Sequence, residues 1–220
     1  MSGYSGYSGH VEPDGVWEDR RDGRLFVRKL SVGEMDNDVY VVADAETGDA
    51  VLIDAAAEPE RLREAMDGFA VQAVLQTHGH WDHVRAWDAL RDEDGLTICG
   101  HPDDADLFPR EVDRELHDGD RVQIGALEIE VLHTPGHTPG ACQFLVRGEE
   151  RPHLFTGDSL FPGGPGRTTS PENFTQLMDN LERRVFNELP DETWIYPGHG
   201  DDTTVGAERP SLPEWRARGW

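Results

Sequence analysis

The segment Thr77-His78-Gly79-His80-Trp81-Asp82-His83 places three imidazoles and one carboxylate within six residues. It begins where the apolar run VQAVLQT (71–77) ends and a helix-forming stretch starts, so the pattern puts it on a strand-to-helix turn. Side chains on such a turn point toward one space rather than along one helix face. Imidazole and carboxylate donors suit Zn, Fe or Mn. The competing reading is a set of solvent-facing histidines in a polar loop. The His-x-His-x-Asp-His order argues for a metal instead, because four potential ligands rarely fall together without one.

Three later segments repeat the design. His133-Thr134-Pro135-Gly136-His137-Thr138-Pro139-Gly140 follows an apolar strand, as do Phe155-Thr156-Gly157-Asp158-Ser159 and Tyr196-Pro197-Gly198-His199-Gly200. Each time a strand ends in a glycine-marked turn that carries His or Asp. Glycine lets the backbone approach a ligand closely, and strand ends make rigid platforms for sites. Asp54 also ends a strand. It either accepts a hydrogen bond from a ligating imidazole or is an ordinary turn aspartate. His101 reads as a loop or capping residue, and His10, His117 and His153 as surface or turn residues. No G-x-S-x-G nucleophile motif is present.

The elements that must position these groups are short. Residues 24–32, 39–44, 50–55 and 71–77 read as strands, and 58–69 as a helix. A second helix is expected from His80 to a stop at Gly95. Strands follow at LTIC, around Gly125, at ACQFLV and at HLFTGD. The clearest helix is 170–189, with Ser170 as N-cap and Pro171 at its first position. A last strand runs into the YPGHG turn, and Trp215 reads as a core plug. The order is mixed, which implies an α/β or α+β domain of two or more layers. Residues 1–22, rich in Gly, Ser and Asp, are expected to be a flexible arm before a single domain over 23–220.

Composition excludes several function classes. Among 220 residues, 20 are Lys or Arg and 44 are Asp or Glu, a net charge of −24. Such a surface repels phosphate backbones and anionic membranes, so neither nucleic acid nor membrane is an expected partner. Lys29 is the one lysine, and this acidic, Lys-poor balance resembles that of salt-loving organisms. The N-terminus has neither a basic start nor an apolar stretch, so a cytoplasmic location is expected. Cys99 and Cys142 lie in apolar strand-like runs and read as small buried hydrophobes rather than a redox pair.

Taken together, residues of roughly 25–200 resemble the metallo-β-lactamase superfamily. THGHWDH fits the family's T-H-x-H-x-D-H signature. The TPGHT, FTGDSLF and YPGHG segments resemble its remaining ligand blocks, 54 residues from His83 to His137, 21 on to Asp158 and 41 on to His199. The stretch ending VLIDAA departs from the family's Asp-Pro-Gly, with Asp54-Ala55-Ala56 in its place. The resemblance implies a four-layer αββα sandwich with two divalent metal ions at one edge, zinc first, with iron or manganese as alternatives. By the same resemblance His78, His80 and His137 hold one metal, Asp82, His83 and His199 the other, and Asp158 bridges them. His133 falls outside that set.

Two such ions would lower the pKa of a shared water to near 7, supplying hydroxide at neutral pH to attack the substrate. Asp82 is also placed to orient it. No cysteine occupies a ligand block, unlike lactamases that bind their second metal through Cys. The segment Gly166-Arg167-Thr168 resembles the loop of glyoxalase II-like members, and Arg167 there could attract a substrate carboxylate. The implied activity is hydrolysis of a thioester or similar ester-like bond in a small molecule. A mononuclear-iron persulfide dioxygenase and a lactonase are the alternatives. The helical domain that grips the thiol carrier in glyoxalase II is not evident here. The sequence leaves the oligomeric state open.

Overall fold

Residues 7–13 and 15–219 are described, from a computed structural model. The first sheet takes its seven strands in chain order: β1 (Glu18–Asp22), β2 (Leu25–Val32), β3 (Asn37–Asp44), β4 (Asp49–Ile53), β5 (Ala70–Leu75), β6 (Thr97–Gly100) and β7 (Arg114–Glu115). The first four form an antiparallel meander, and β4 to β7 pair in parallel. Parallel neighbours need a crossover, and helix α1 (Pro59–Met66) supplies the one between β4 and β5.

The second sheet is built from β8 (Arg121–Ile124), β9 (Leu127–His133), β10 (Cys142–Arg147) and β11 (Pro152–Gly157). A small hairpin, β12 (Leu160–Phe161) and β13 (Gly164–Pro165), and helix α2 (Pro171–Asn180) then lead to β14 (Trp194–Pro197) and β15 (Thr203–Thr204). The strand order is β15-β14-β11-β10-β9-β8. Two short helices, α3 (Val205–Glu208) and α4 (Leu212–Arg218), close the chain.

Strand periodicity sorts the side chains into three cores. In β3, Tyr40 and Val42 face the second sheet, while Val39, Val41 and Ala43 face α1 and the segment around Trp87. In β10, Phe144 and Val146 meet that inter-sheet core, while Leu145 packs outward on α2. Helix–sheet–sheet–helix layering follows, the αββα sandwich that the resemblance implies. The inter-sheet core also anchors a site loop. Tyr40, Phe155 and Tyr196 pack ring on ring, and the Tyr40 hydroxyl donates to the Pro197 carbonyl at 2.6 Å, two residues before His199. Burying each ring contributes about 1.5–3 kcal/mol, so this loop is held by the core itself. Trp215 is buried against Phe186, as a plug. Cys99 and Cys142 are buried and unpaired with each other.

The structure corrects three expectations. The helix over 80–95 is broken: a 3-10 turn covers Trp81–His83, and a π turn covers Ala89–Glu93. Between them the Arg85 and Ala86 amides donate to the carbonyls of Ala56 and Ala55, so they are not available to continue a helix. These bonds also pin the Ala55-Ala56 loop. Second, the arm over 1–22 is shorter than expected. Residues 18–22 are strand β1, and the Tyr7 hydroxyl donates to Asp202 at 2.6 Å while Lys29 Nζ donates to the Gly9 carbonyl at 3.0 Å. Residues 1–6 lie outside the described residues.

Third, His153 is buried rather than at the surface. The Asp22 carboxylate can only accept, so His153 Nε2 donates to it at 2.9 Å, and Nδ1 accepts from the Tyr196 hydroxyl at 2.8 Å. Burial pushes its pKa down to about 4, outweighing the hydrogen bond to Asp22. A histidine held neutral in the fold contributes stability above its unfolded pKa near 6.5, and that contribution is lost as pH falls toward 4. Between pH 7 and 5 the loss should be about 2 kcal/mol. Denaturant unfolding of wild type and His153→Gln across that range checks it: the wild type should show the steeper acid loss.

Candidate metal centre

Every sequence-predicted ligand lies at a strand end on one edge of the two sheets. His78, His80, Asp82 and His83 follow β5, His137 follows β9, Asp158 follows β11 and His199 follows β14. Ligand atoms of His78, His80 and His137 lie within 4.8 Å of one another, as do those of Asp82, His83 and His199. Asp158 reaches both groups. Its Oδ2 is 3.6 Å from His137 Nε2 and 3.6 Å from His199 Nε2, and its Oδ1 is 3.4 Å from His83 Nε2.

Neighbouring groups set the tautomer of four of the five imidazoles. His199 Nδ1 donates to the Met35 carbonyl at 2.9 Å, and His137 Nδ1 to the Arg167 carbonyl at 2.6 Å. His83 Nδ1 donates to Asp54 Oδ2 at 2.8 Å. The Thr77 hydroxyl spends its proton on Asp54 Oδ2 at 2.8 Å, so it accepts from His78 Nδ1 at 2.9 Å. In all four rings the outward nitrogen is tied down and Nε2 faces the centre, the arrangement by which outer partners orient metal-bound histidines.

This donor set fits a cation. His83 Nε2 and His199 Nε2 face each other at 3.3 Å, and His137 Nε2 faces His80 Nδ1 at 2.9 Å. Ring nitrogens this close need a proton or a metal cation between them. His78 Nε2 and Asp158 Oδ1 are buried without a hydrogen-bond partner, an expensive state for polar atoms that a metal would relieve. The local electrostatics agree. Burial holds His78 well below its ordinary value, with His83 acting in the same direction. Despite its burial His83 is raised to about 10 by the carboxylates of Asp158 and Asp54. Burial opposes ionisation of Asp158, yet the imidazoles around it, His199 and His83 foremost, keep it well below the usual carboxylate range.

Asp54 has both properties that the sequence left open. It directly follows β4 with φ of 66°, a left-handed turn conformation, and it accepts from His83, the Thr77 amide and the Thr77 hydroxyl. Arg167 meets the site through its backbone carbonyl. Its exposed side chain lines a cleft of about 310 Å³ with Phe174 and Arg218. His101 caps the Pro102–Asp104 turn by accepting from the Asp103 amide, and it stacks on His133 at 3.8 Å.

Sequence reasoning missed Asn37, Gln76 and Asp104. Asn37 Nδ2 donates to Asp82 Oδ2 at 3.0 Å, and Gln76 binds both the Ala55 amide and the His83 carbonyl. Asn37 sits in an acidic turn, MDND, where nothing marks it out. Gln76 had a signal: a polar side chain at the end of a buried strand needs a partner.

Gly198 is sterically required. A Cβ there would lie 2.2 Å from Asp158 Oδ1 and 3.0 Å from His83 Cε1. Gly198→Ala should therefore displace Asp158 and lower kcat by about 10–100-fold, the usual range for disturbed ligand support. Metal content and steady-state kinetics on the folded variant check this.

Residues 32–199 match the metallo-beta-lactamase superfamily, and the chain belongs to it. It is 36% identical over 206 residues to an uncharacterized protein of Aquifex aeolicus, covering 86% of this chain and 96% of that one. It is 34% identical over 184 residues to the hydroxyacylglutathione hydrolase GloC of Haemophilus influenzae, covering 74% of this chain and 86% of that one. The structure of TTHA1623 in a di-iron-bound form aligns with a TM-score of 0.71 and 32% identity, over 85% of this chain and 99% of that one. No helix among the described residues is long and apolar enough to cross a membrane.

Proposed function

We propose that this protein hydrolyses a small-molecule thioester with the help of two divalent metal ions, zinc first. The observation that carries the proposal is the pair of adjoining donor clusters, His78/His80/His137 and Asp82/His83/His199, with one carboxylate, Asp158, in reach of both. The similarity to a hydroxyacylglutathione hydrolase supports the choice of bond. When bound, a metal pair of this kind supplies an activated water near neutral pH and a Lewis acid for the substrate carbonyl.

The chain's own residues do the remainder. His78, His80, His137, Asp82, His83, Asp158 and His199 hold the ions. Asp82 orients the attacking water, and Asn37 keeps that carboxylate from swinging away. Asp54 keeps the His83 lone pair aimed inward. Arg167, beside Arg218 at the cleft rim, is the cation for a carboxylate on the thiol portion.

The test is metal content per chain by mass spectrometry, followed by turnover of thioesters and lactones and by oxygen uptake with a persulfide. Close to two divalent ions, thioester turnover and no oxygen uptake support the proposal. One iron with oxygen uptake would move the protein to dioxygenase chemistry, and lactone turnover alone would move it to a lactonase.

A further inference from the structure

Asp104 lies outside the motifs that mark the metal ligands, yet it is fully buried between two loops that carry them. Its Oδ2 accepts from the Gly79 amide and from the Thr138 hydroxyl, both at 2.8 Å. Its Oδ1 accepts from the Gly140 amide at 2.6 Å. Gly79 separates His78 from His80, and Thr138 follows His137. One carboxylate thus joins the loop after β5 to the loop after β9, the two segments that supply His78, His80 and His137. The fit is close: a Cβ on Gly140 would lie 2.8 Å from the Asp104 carboxyl carbon.

Asp104 makes no such bond to Asp82, His83 or His199. Those are held by Asn37, by Asp54 and by the Met35 carbonyl. We infer that Asp104 is the positioning residue of the first metal cluster: it sets the separation of His78 and His80 from His137 and leaves the second cluster to other supports. The inference rests on the metal-site part of the proposed function and is independent of which bond is cleaved.

A buried carboxylate that accepts three bonds has no equivalent in a neutral side chain. In Asp104→Ala the two amides and the hydroxyl lose their acceptor, and the loops lose their common tie. In Asp104→Asn one of the three donors meets an NH2 group, which cannot accept. Thr138→Val removes one of the three bonds and leaves the carboxylate in place. The effect on the first cluster should therefore grade from Thr138→Val through Asp104→Asn to Asp104→Ala.

The experiment is a Zn²⁺ titration of the full chain against a chromophoric chelator, in two backgrounds. His199→Ala disables the second cluster and leaves the first to be read. His137→Ala does the reverse. Adding Asp104→Asn to His199→Ala should weaken Zn²⁺ binding by about 10–100-fold, the usual effect of losing an outer partner. Adding it to His137→Ala should change binding by less than about threefold, because Asp104 shares no hydrogen-bond partner with Asp82, His83 or His199. A general loosening of the fold would weaken both backgrounds alike, and that result overturns the inference. So does no change in either. Should the Asp104 variants fail to fold, Thr138→Val in the same two backgrounds decides, with a smaller shift confined to His199→Ala. If the wild-type chain binds no Zn²⁺ at all, the metal-site proposal itself fails, an outcome distinct from wild-type binding that Asp104 does not influence.

Discussion

Asp158→Ala is expected to hold at most one divalent ion and to turn substrate over at least about a thousandfold more slowly. Asp158 lies within 3.6 Å of imidazoles from both clusters. Two cations a few Å apart repel, and in a partly buried site this repulsion is worth several kcal/mol. A carboxylate in reach of both would offset that cost. Without it a second ion would lose both a ligand and the charge that makes its presence tolerable. Asp158→Asn keeps the shape and removes the charge, so it separates the two contributions. Mass spectrometry of metal content and kcat on both variants check this. Two tightly held ions and normal turnover in Asp158→Ala would remove Asp158 from the site.

Asp54→Ala should have the next largest effect, on stability as well as on metal binding. The Asp54 carboxylate is buried and accepts from the Thr77 amide at 2.7 Å, the Thr77 hydroxyl and His83 Nδ1 at 2.8 Å, and Gln76 Nε2 at 3.3 Å. Buried donors left without an acceptor cost about 1–3 kcal/mol each, and partial relaxation brings the expected total to about 3–5 kcal/mol. The left-handed φ of 66° adds strain for alanine. Asparagine adopts that conformation readily, so Asp54→Asn isolates the lost charge and acceptor from the backbone effect. Both variants should also bind the second ion about 10–100-fold more weakly, because His83 loses the partner that orients it. Denaturant unfolding of the metal-free proteins and a Zn²⁺ titration check the two parts separately. Unchanged affinity in Asp54→Asn would mean that the hydrogen bond to His83 is incidental.

One source of acid sensitivity in the fold is His153, near the end of β11 opposite Asp158. A chain that loses activity on acidification can therefore do so by two routes: release of metal from the imidazoles, or charging of a buried histidine. Comparing wild type with His153→Gln distinguishes them.

Much of the site was legible because its ligands occur in dense local patterns. His78, His80, Asp82 and His83 are near neighbours, and a single turn brings them together whatever the rest of the chain does. His137, Asp158 and His199 are legible for a related reason. Each follows a short apolar strand and adjoins glycine, and strands of one sandwich present their ends at one edge. Ser170 and Pro171 likewise start α2 where local capping chemistry puts the start.

Residue types and spacing are therefore enough to give the convergence of these His and Asp side chains, the strand ends that carry them and the αββα class. How those side chains are held depends on tertiary packing. Asn37 meets Asp82 across 45 residues, Asp104 meets Gly140 across 36, and Asp54 meets His83 across 29. Asp54 and Asp104 are two of 24 aspartates and Asn37 is one of four asparagines, and no local pattern separates them from those that face water. The same holds for His153 and for β1, whose burial depends on which segments happen to cover them. The break in the expected helix after His80 has that cause as well: its amides found acceptors at Ala55 and Ala56, in a loop that local propensity cannot see. Hydrogen-bond partners distant in sequence are chosen by packing, and packing is a property of the assembled sheets rather than of any one segment.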